Sequence, residues 1–206
     1  MQRTAIAINN VDIDAARAIY RPGHPGAIHV PNALDKEALL DVCRDAIRST
    51  ESVDYNGHFL MTGVPDEYPA LRGLAQAYMR DIYNPLSTTK IGDREPGFPM
   101  RTVPDEVFIR KYGPEVTRLS THADEACLNL IAIFTILGKG TFTTQPSMRS
   151  DDVTPYRVMP GSLILMRGQF FHAGLDKVYH GFHMDRSDKG NRYAAILRVR
   201  QNPEQI

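Results

Sequence analysis

The sequence predicts an α+β protein: helices first, then a run of short strands closing into a sandwich or barrel, with the helices covering one sheet. Three observations carry this. Before about residue 100 the apolar residues recur three and four apart, the helical period. After it they form short alternating or continuous runs, which suit strands. Gly and Pro punctuate those runs at 113–114, 138, 140, 160–161 and 190. Many short strands at close spacing are the pattern of closed or double-sheet architectures.

In chain order, a short helix is expected over 12–20 and a strand over 27–30 (AIHV). Leu34, Ala38, Leu39, Val42, Cys43, Ala46 and Ile47 form one face of a helix over 33–49, opened near Asn32 or Asp35. Leu71, Leu74, Ala75, Tyr78 and Ile82 do the same over 69–83, where Pro69 suits a first helical position. Segments 51–67 and 84–105 lack a clear period and are rich in Gly, Pro and polar residues, so they are expected as loops over a site. Strands follow at 106–112, 117–122, 128–137, 140–145, 155–159, 162–167 and 192–200.

The 206 residues suit one domain over 1–206, helical and loop-rich to about residue 100 and β-rich beyond it. Lys+Arg and Asp+Glu both number 24, so there is no excess of positive charge to draw nucleic acid. Cys43 and Cys127 are too few for a disulfide framework and are expected as buried thiols. The N-terminal residues show no secretory h-region, and no apolar run approaches the roughly 20 residues of a membrane span. These features predict a soluble, cytoplasmic protein.

Chemistry is expected around STHADEAC at 120–127. Residues i and i+2 of a strand share a face, so His122 and Asp124 present an imidazole and a carboxylate side by side. They are half of a metal site, or polar residues at a strand end. MPGSLILMRGQFFHAG at 159–174 is a turn, an apolar strand, a loop and then His172, a third ligand or an ordinary loop histidine. Two histidines and a carboxylate on one face of an octahedron leave three positions open, the arrangement of non-haem Fe(II) oxygenases. In RYAAILRVR at 192–200, Tyr193, Ala195, Leu197 and Val199 form an apolar face expected to pack on the helices. Arg192, Ala194, Ile196 and Arg198 form the other, facing a barrel mouth or, on an edge strand, solvent. A buried arginine needs an anion, and a guanidinium holds a carboxylate with two parallel hydrogen bonds.

In order, H-x-D, about fifty residues, H, about twenty residues and R-x5-R, the chain resembles the Fe(II)/2-oxoglutarate-dependent dioxygenases over roughly residues 65–200. The resemblance implies a double-stranded β-helix (jelly-roll or cupin-like) core. It implies His122, Asp124 and His172 as iron ligands, Arg192 as the 2-oxoglutarate anchor, and Arg198 and Tyr112 as assisting residues. The implied reaction uses O2 to hydroxylate a substrate C–H bond, releasing succinate and CO2. A carboxylate at Asp124 favours hydroxylation over halogenation. The AlkB-like branch is the nearest in look. Arg192 and Arg198 keep its R-x-N-x-T-x-R spacing, but Ala194 and Ile196 replace the Asn and Thr. Tyr112 keeps the tyrosine of its N-x-Y, but Arg110 replaces the Asn. With no excess positive charge, a small-molecule or amino-acid-like substrate is expected ahead of an alkylated nucleic acid base; a cupin-like binding protein without iron is a further alternative.

His180 and His183 are spaced for a metal but lie in a charged, Gly-containing insert, so a solvated or lid role is expected. His24, His29 and His58 are expected in turns or at the surface, Phe170 and Phe171 in packing, and Glu125 facing away from the cluster.

Overall fold

The computed structural model describes residues 5–51, 58–61, 63–87, 101–113, 116–125, 128–168, 175–185 and 191–200. Its helices are α1 (Ile13–Ala18), α2 (Lys36–Ser49), α3 (Pro69–Tyr78) and α4 (Asn84–Ser87), the last two joined by a π-helical turn, Met79–Tyr83. Its strands are β1 (Ala27–Val30), β2 (His58–Met61), β3 (Glu106–Tyr112), β4 (Arg118–His122), β5 (Leu128–Leu137), β6 (Gly140–Gln145), β7 (Thr154–Val158), β8 (Leu163–Arg167), β9 (Tyr179–Met184) and β10 (Arg192–Arg200). Two antiparallel sheets result, β1-β8-β5-β10-β3-β2 and β4-β9-β6-β7.

The hydrophobic residues sort into two layers. Leu130, Ala132, Phe134 and Ile136 of β5 and Tyr193, Ala195, Leu197 and Val199 of β10 join the helical residues Val42, Ala46, Leu71, Leu74 and Tyr78. Ile131 and Ile133 of β5 and Ala194 of β10 join Phe142, Val158 and Phe182 of the smaller sheet. The centre of the larger sheet is therefore buried on both faces, which is why residues 130–134 of β5 read as a continuous apolar run, LIAIF. The expected split of β10 into a helix-facing and an inward face holds residue by residue. Gly161, at φ +86°, supplies the left-handed turn ahead of β8.

Helix starts follow local chemistry. Asp35 accepts from the Ala38 N–H at 2.8 Å and opens α2. The N-cap of α3, Tyr68, has no capping side chain; Asp45, buried on α2, does the work across the helix pair, accepting from Ala70 N–H at 2.7 Å and Leu71 N–H at 3.3 Å. Asp45→Ala strands both donors in the core. Thermal melts should show a loss of about 2 kcal/mol, or roughly 6 °C in Tm. The continuous helix expected over 69–83 widens instead into the π turn, closed by Asn84 N–H on Met79 C=O. Pro85, with no N–H, cannot extend an α ladder there.

Three further expectations are corrected. The loop expected over 51–67 contains β2, an edge strand paired with β3. The insert expected to carry His180 and His183 outside the sheets is β9, a strand inside the smaller sheet between β4 and β6. Its inward residues are His180, Phe182 and Met184 and its outward ones Tyr179, Gly181 and His183, so its alternation is masked by a histidine on each face. His29 lies on β1, half-buried, rather than in a turn. Cys43 is half-buried against the helical core; Cys127 lies outside the described residues. Among the described residues no helix is long and apolar enough to cross a membrane.

Candidate metal centre

His122 ends β4 and pairs directly with His180 of β9, across a register shift between Leu119 and His122. Such irregularities re-aim side chains at sheet ends. The two rings lie 4.3 Å apart, centre to centre. Asp124, two residues past the strand, brings its carboxylate to 3.5 Å from His180 Nε2. One ligand atom from each of His122, Asp124 and His180 lies within 4.8 Å of the others. Two imidazoles and a carboxylate converging from one side are the donor set of a facial metal site.

Each donor is held. His122 Nδ1 is 2.9 Å from the Ser120 carbonyl. A carbonyl only accepts, so Nδ1 carries the proton and Nε2 keeps its lone pair for a metal. His180 stacks on Phe142 with ring centres 5.5 Å apart. Burial, opposed by the Asp124 charge and aided by His122 and Arg198, pushes the His180 imidazole down to about 4. It is therefore neutral at ordinary pH and could ligate a metal without first losing a proton. Asp124 accepts from Arg198 at 2.6 Å. Arg198 is also 3.7 Å from Glu106, which in turn accepts from Arg200 Nε at 2.7 Å. This alternation of charge fixes the carboxylate and neutralises two of the strand's arginines.

Further along the same face lies Arg192, 2% exposed. Its guanidinium carbon sits 3.6 Å from the Phe182 ring centre and 4.8 Å from that of Tyr112. Tyr112 is its hydrogen-bond partner, while its buried Nε meets no acceptor among the described residues. Desolvation pulls its pKa below the usual guanidinium range. No described carboxylate lies within ion-pair distance, in contrast to Arg198 and Arg200. Arg192, Tyr112, Arg110, Ile131, Ile133 and Phe182 line the same narrow cleft as the His/Asp/His cluster.

Of the residues expected at the site, His122, Asp124, Tyr112, Arg192 and Arg198 come together. His172 lies outside the described residues. The described histidine that joins the cluster is His180, and the solvated or lid role expected for it is wrong: it is buried, at 4% exposure, on the inward face of β9. His183 is exposed on the outward face, and Glu125 points away to Arg200 at 3.2 Å, as expected. Glu106 and Phe182 had not been singled out. The signal for β9 was the i, i+2, i+4 set His180, Phe182, Met184.

No protein-family model matches the sequence, and no curated protein matches it. Solved structures do. A 2OG-Fe(II) oxygenase family oxidoreductase from Burkholderia pseudomallei is similar at TM-score 0.63 and 14% identity, over 93% of this chain and 91% of that one. The chain has the fold of the 2OG-Fe(II) oxygenases. Viral collagen prolyl hydroxylase vCPH from Paramecium bursaria Chlorella virus-1, in its 2OG complex, is similar at TM-score 0.60 and 12% identity, over 87% and 97% of the two chains. OsALKBH1 is similar at TM-score 0.55 and 13% identity, over 86% and 100%. At these identities the likeness is one of fold, and the site must argue for itself.

Proposed function

We propose that this chain is an Fe(II)- and 2-oxoglutarate-dependent dioxygenase that hydroxylates a C–H bond of a small-molecule or amino-acid-like substrate, releasing succinate and CO2. The observation that carries the reading is Arg192. A guanidinium buried with no acid beside it is costly unless an anion completes it. It shares its cleft with the His/Asp/His cluster, and a dicarboxylate with a keto acid at one end suits both ends at once.

The residues fit such a centre. His122, Asp124 and His180 would hold the iron, with His180 in the place first expected for His172. Iron with 2-oxoglutarate bound supplies the activation of O2. The chain's own part is placement and exclusion of water. Arg198 holds the Asp124 carboxylate. Arg192 and Tyr112 grip the far carboxylate of 2-oxoglutarate with charge-assisted bonds. Ile131, Ile133 and Phe182 keep the cleft apolar. In this reading the two sheets are the walls of a double-stranded β-helix and, with the helical layer, one domain.

Two observations favour a small substrate over a nucleic acid. The chain's formal charges sum to zero, and Arg198 and Arg200 are committed to carboxylates rather than free for phosphates.

The test is to add Fe(II) and 2-oxoglutarate to the purified protein without oxygen and record the visible spectrum. A weak metal-to-ligand charge-transfer band is expected, with succinate formed when oxygen is admitted. A folded protein with neither band nor succinate is a cupin-like binding protein or another kind of metal protein, and the reading is then wrong.

A further inference from the structure

We propose that a cavity centred on Arg167 holds the carboxylate end of the substrate, and that the substrate is a free amino acid with an extended side chain; this rests on the function proposed above and names its substrate class. The cavity, of about 270 Å³, opens between residues 22–25, the ends of β6 and β8, and the approaches to β7 and β9. Strand register fixes its place. In the smaller sheet Thr144 lies opposite His180 on one side and Thr154 on the other, so the three form one cross-strand row. Both threonines line the cavity. In the larger sheet Leu130 pairs with Arg167 and with Val199, the chain neighbour of the Arg198 that holds Asp124. Both sheets therefore put the cavity at the same end as the His/Asp/His cluster, one to two strand spacings away, roughly 5–10 Å.

Arg167 is 5% exposed and donates to two backbone carbonyls, Ile19 at 2.5 Å and Asp176 at 2.9 Å. Carbonyls orient a guanidinium but do not neutralise it, and a buried cation is costly until an anion completes it. Among the described residues no side-chain carboxylate lies within ion-pair distance of Arg167. The Asp176 charge acts from farther out, and desolvation still pulls the Arg167 pKa below its usual range. His24 adds a second donor. Its Nδ1 accepts from the Gly26 N–H at 3.0 Å, and burial with the nearby Arg167 and Arg21 charges holds the ring neutral, so the proton sits on Nε2. Lys177, Asp152 and Asp176 stand exposed at the rim. The inner end of the cavity is cationic and rich in N–H donors, whereas the rim carries both signs. A carboxylate suits the first and an ammonium the rim acids, so the two charges of an amino acid are both matched. The volume lies at the small end of ligand pockets. From there a substrate has to cross one to two strand spacings to bring a C–H bond to the cluster, which is why the side chain must be extended.

The test is calorimetry without oxygen on the protein loaded with Fe(II) and 2-oxoglutarate. The standard L-amino acids are titrated first, then the amine that lacks the carboxylate of each one that binds: agmatine for arginine, cadaverine for lysine. Saturable binding is expected among the long side chains, with each amine at least ten-fold weaker than its amino acid. Arg167→Lys keeps a cation but loses the planar fork, and should weaken the amino acid roughly ten- to hundred-fold while the amine changes by no more than about two-fold. If thermal melts show that Arg167→Lys does not fold, His24→Phe carries the same test: it keeps a flat ring, loses the Nε2 donor and should cost roughly ten-fold. An amine that binds as well as its amino acid overturns the inference, as do folded variants that bind the amino acid like wild type. So does the absence of any amino acid binding by a protein that shows the 2-oxoglutarate charge-transfer band. If wild type lacks that band, the proposed function itself has failed.

Discussion

With His180 as the third ligand, as proposed, His180→Ala should abolish the Fe(II)/2-oxoglutarate charge-transfer band and lower metal affinity by at least a hundred-fold, while His172→Ala should keep both. Altering a residue that merely orients a ligand costs 10–100-fold in affinity, so loss of a ligand itself costs no less. The expectation follows from strand pairing: His180 is the cross-strand partner of His122, with its Nε2 3.5 Å from Asp124. The reverse outcome would return the third ligand to His172. A second readout uses the metal-free protein. The folded His180 titrates near 4, below the roughly 6.5 of an exposed histidine, so between those values the unfolded chain binds more protons. Its contribution to stability is present above about pH 6.5 and is lost as pH falls toward 4, by about 3 kcal/mol in all. His180→Asn, with no titrating ring, should flatten that part of the pH–stability curve measured by urea unfolding.

The choice between His172 and His180 marks where the sequence stops being legible. H-x-D is local: two side chains from one short stretch, readable from spacing alone. The position of His180 beside His122 is set by the register of β9 on β4, and that register shifts between Leu119 and His122. No spacing rule within one strand encodes a shift between two. β9 also disguises itself. A strand buried on one face normally alternates apolar and polar residues, but here a histidine takes one inward position and Tyr179, Gly181 and His183 take the outward ones. β10 is the opposite case. Its helix-facing residues are all apolar and its inward face is bounded by arginines, so both the packing face and the inward placing of Arg192 and Arg198 could be read from RYAAILRVR. The pairing of Arg198 with Asp124 and Glu106, rather than with a ligand, needed three elements in place at once.

Arg192→Met should move stability and binding in opposite directions, and that opposition distinguishes an anion site from a structural arginine. In the ligand-free protein Arg192 is a desolvated cation with no acid partner among the described residues, stacked on Phe182 and Tyr112. Stacking returns roughly 0.5–2 kcal/mol, whereas desolvating an ion costs several. Methionine keeps most of the stem's packing volume and removes the charge, so the metal- and ligand-free protein should gain about 1–2 kcal/mol, seen as a Tm higher by roughly 3–6 °C. The same change would remove the proposed grip on the far carboxylate. Truncating one partner of a buried charge pair costs about 2–5 kcal/mol, so the Kd for 2-oxoglutarate should rise at least thirty-fold. With saturating 2-oxoglutarate and Fe(II), wild type should overtake the variant in Tm, because a ligand stabilises only the protein that binds it. A variant that melts lower than wild type without ligand, yet titrates normally with 2-oxoglutarate, would make Arg192 a structural stem and move the cosubstrate elsewhere in the cleft. The crossing of the two melting curves is the specific expectation, since loss of packing alone lowers Tm with or without ligand and loss of a surface charge alters neither.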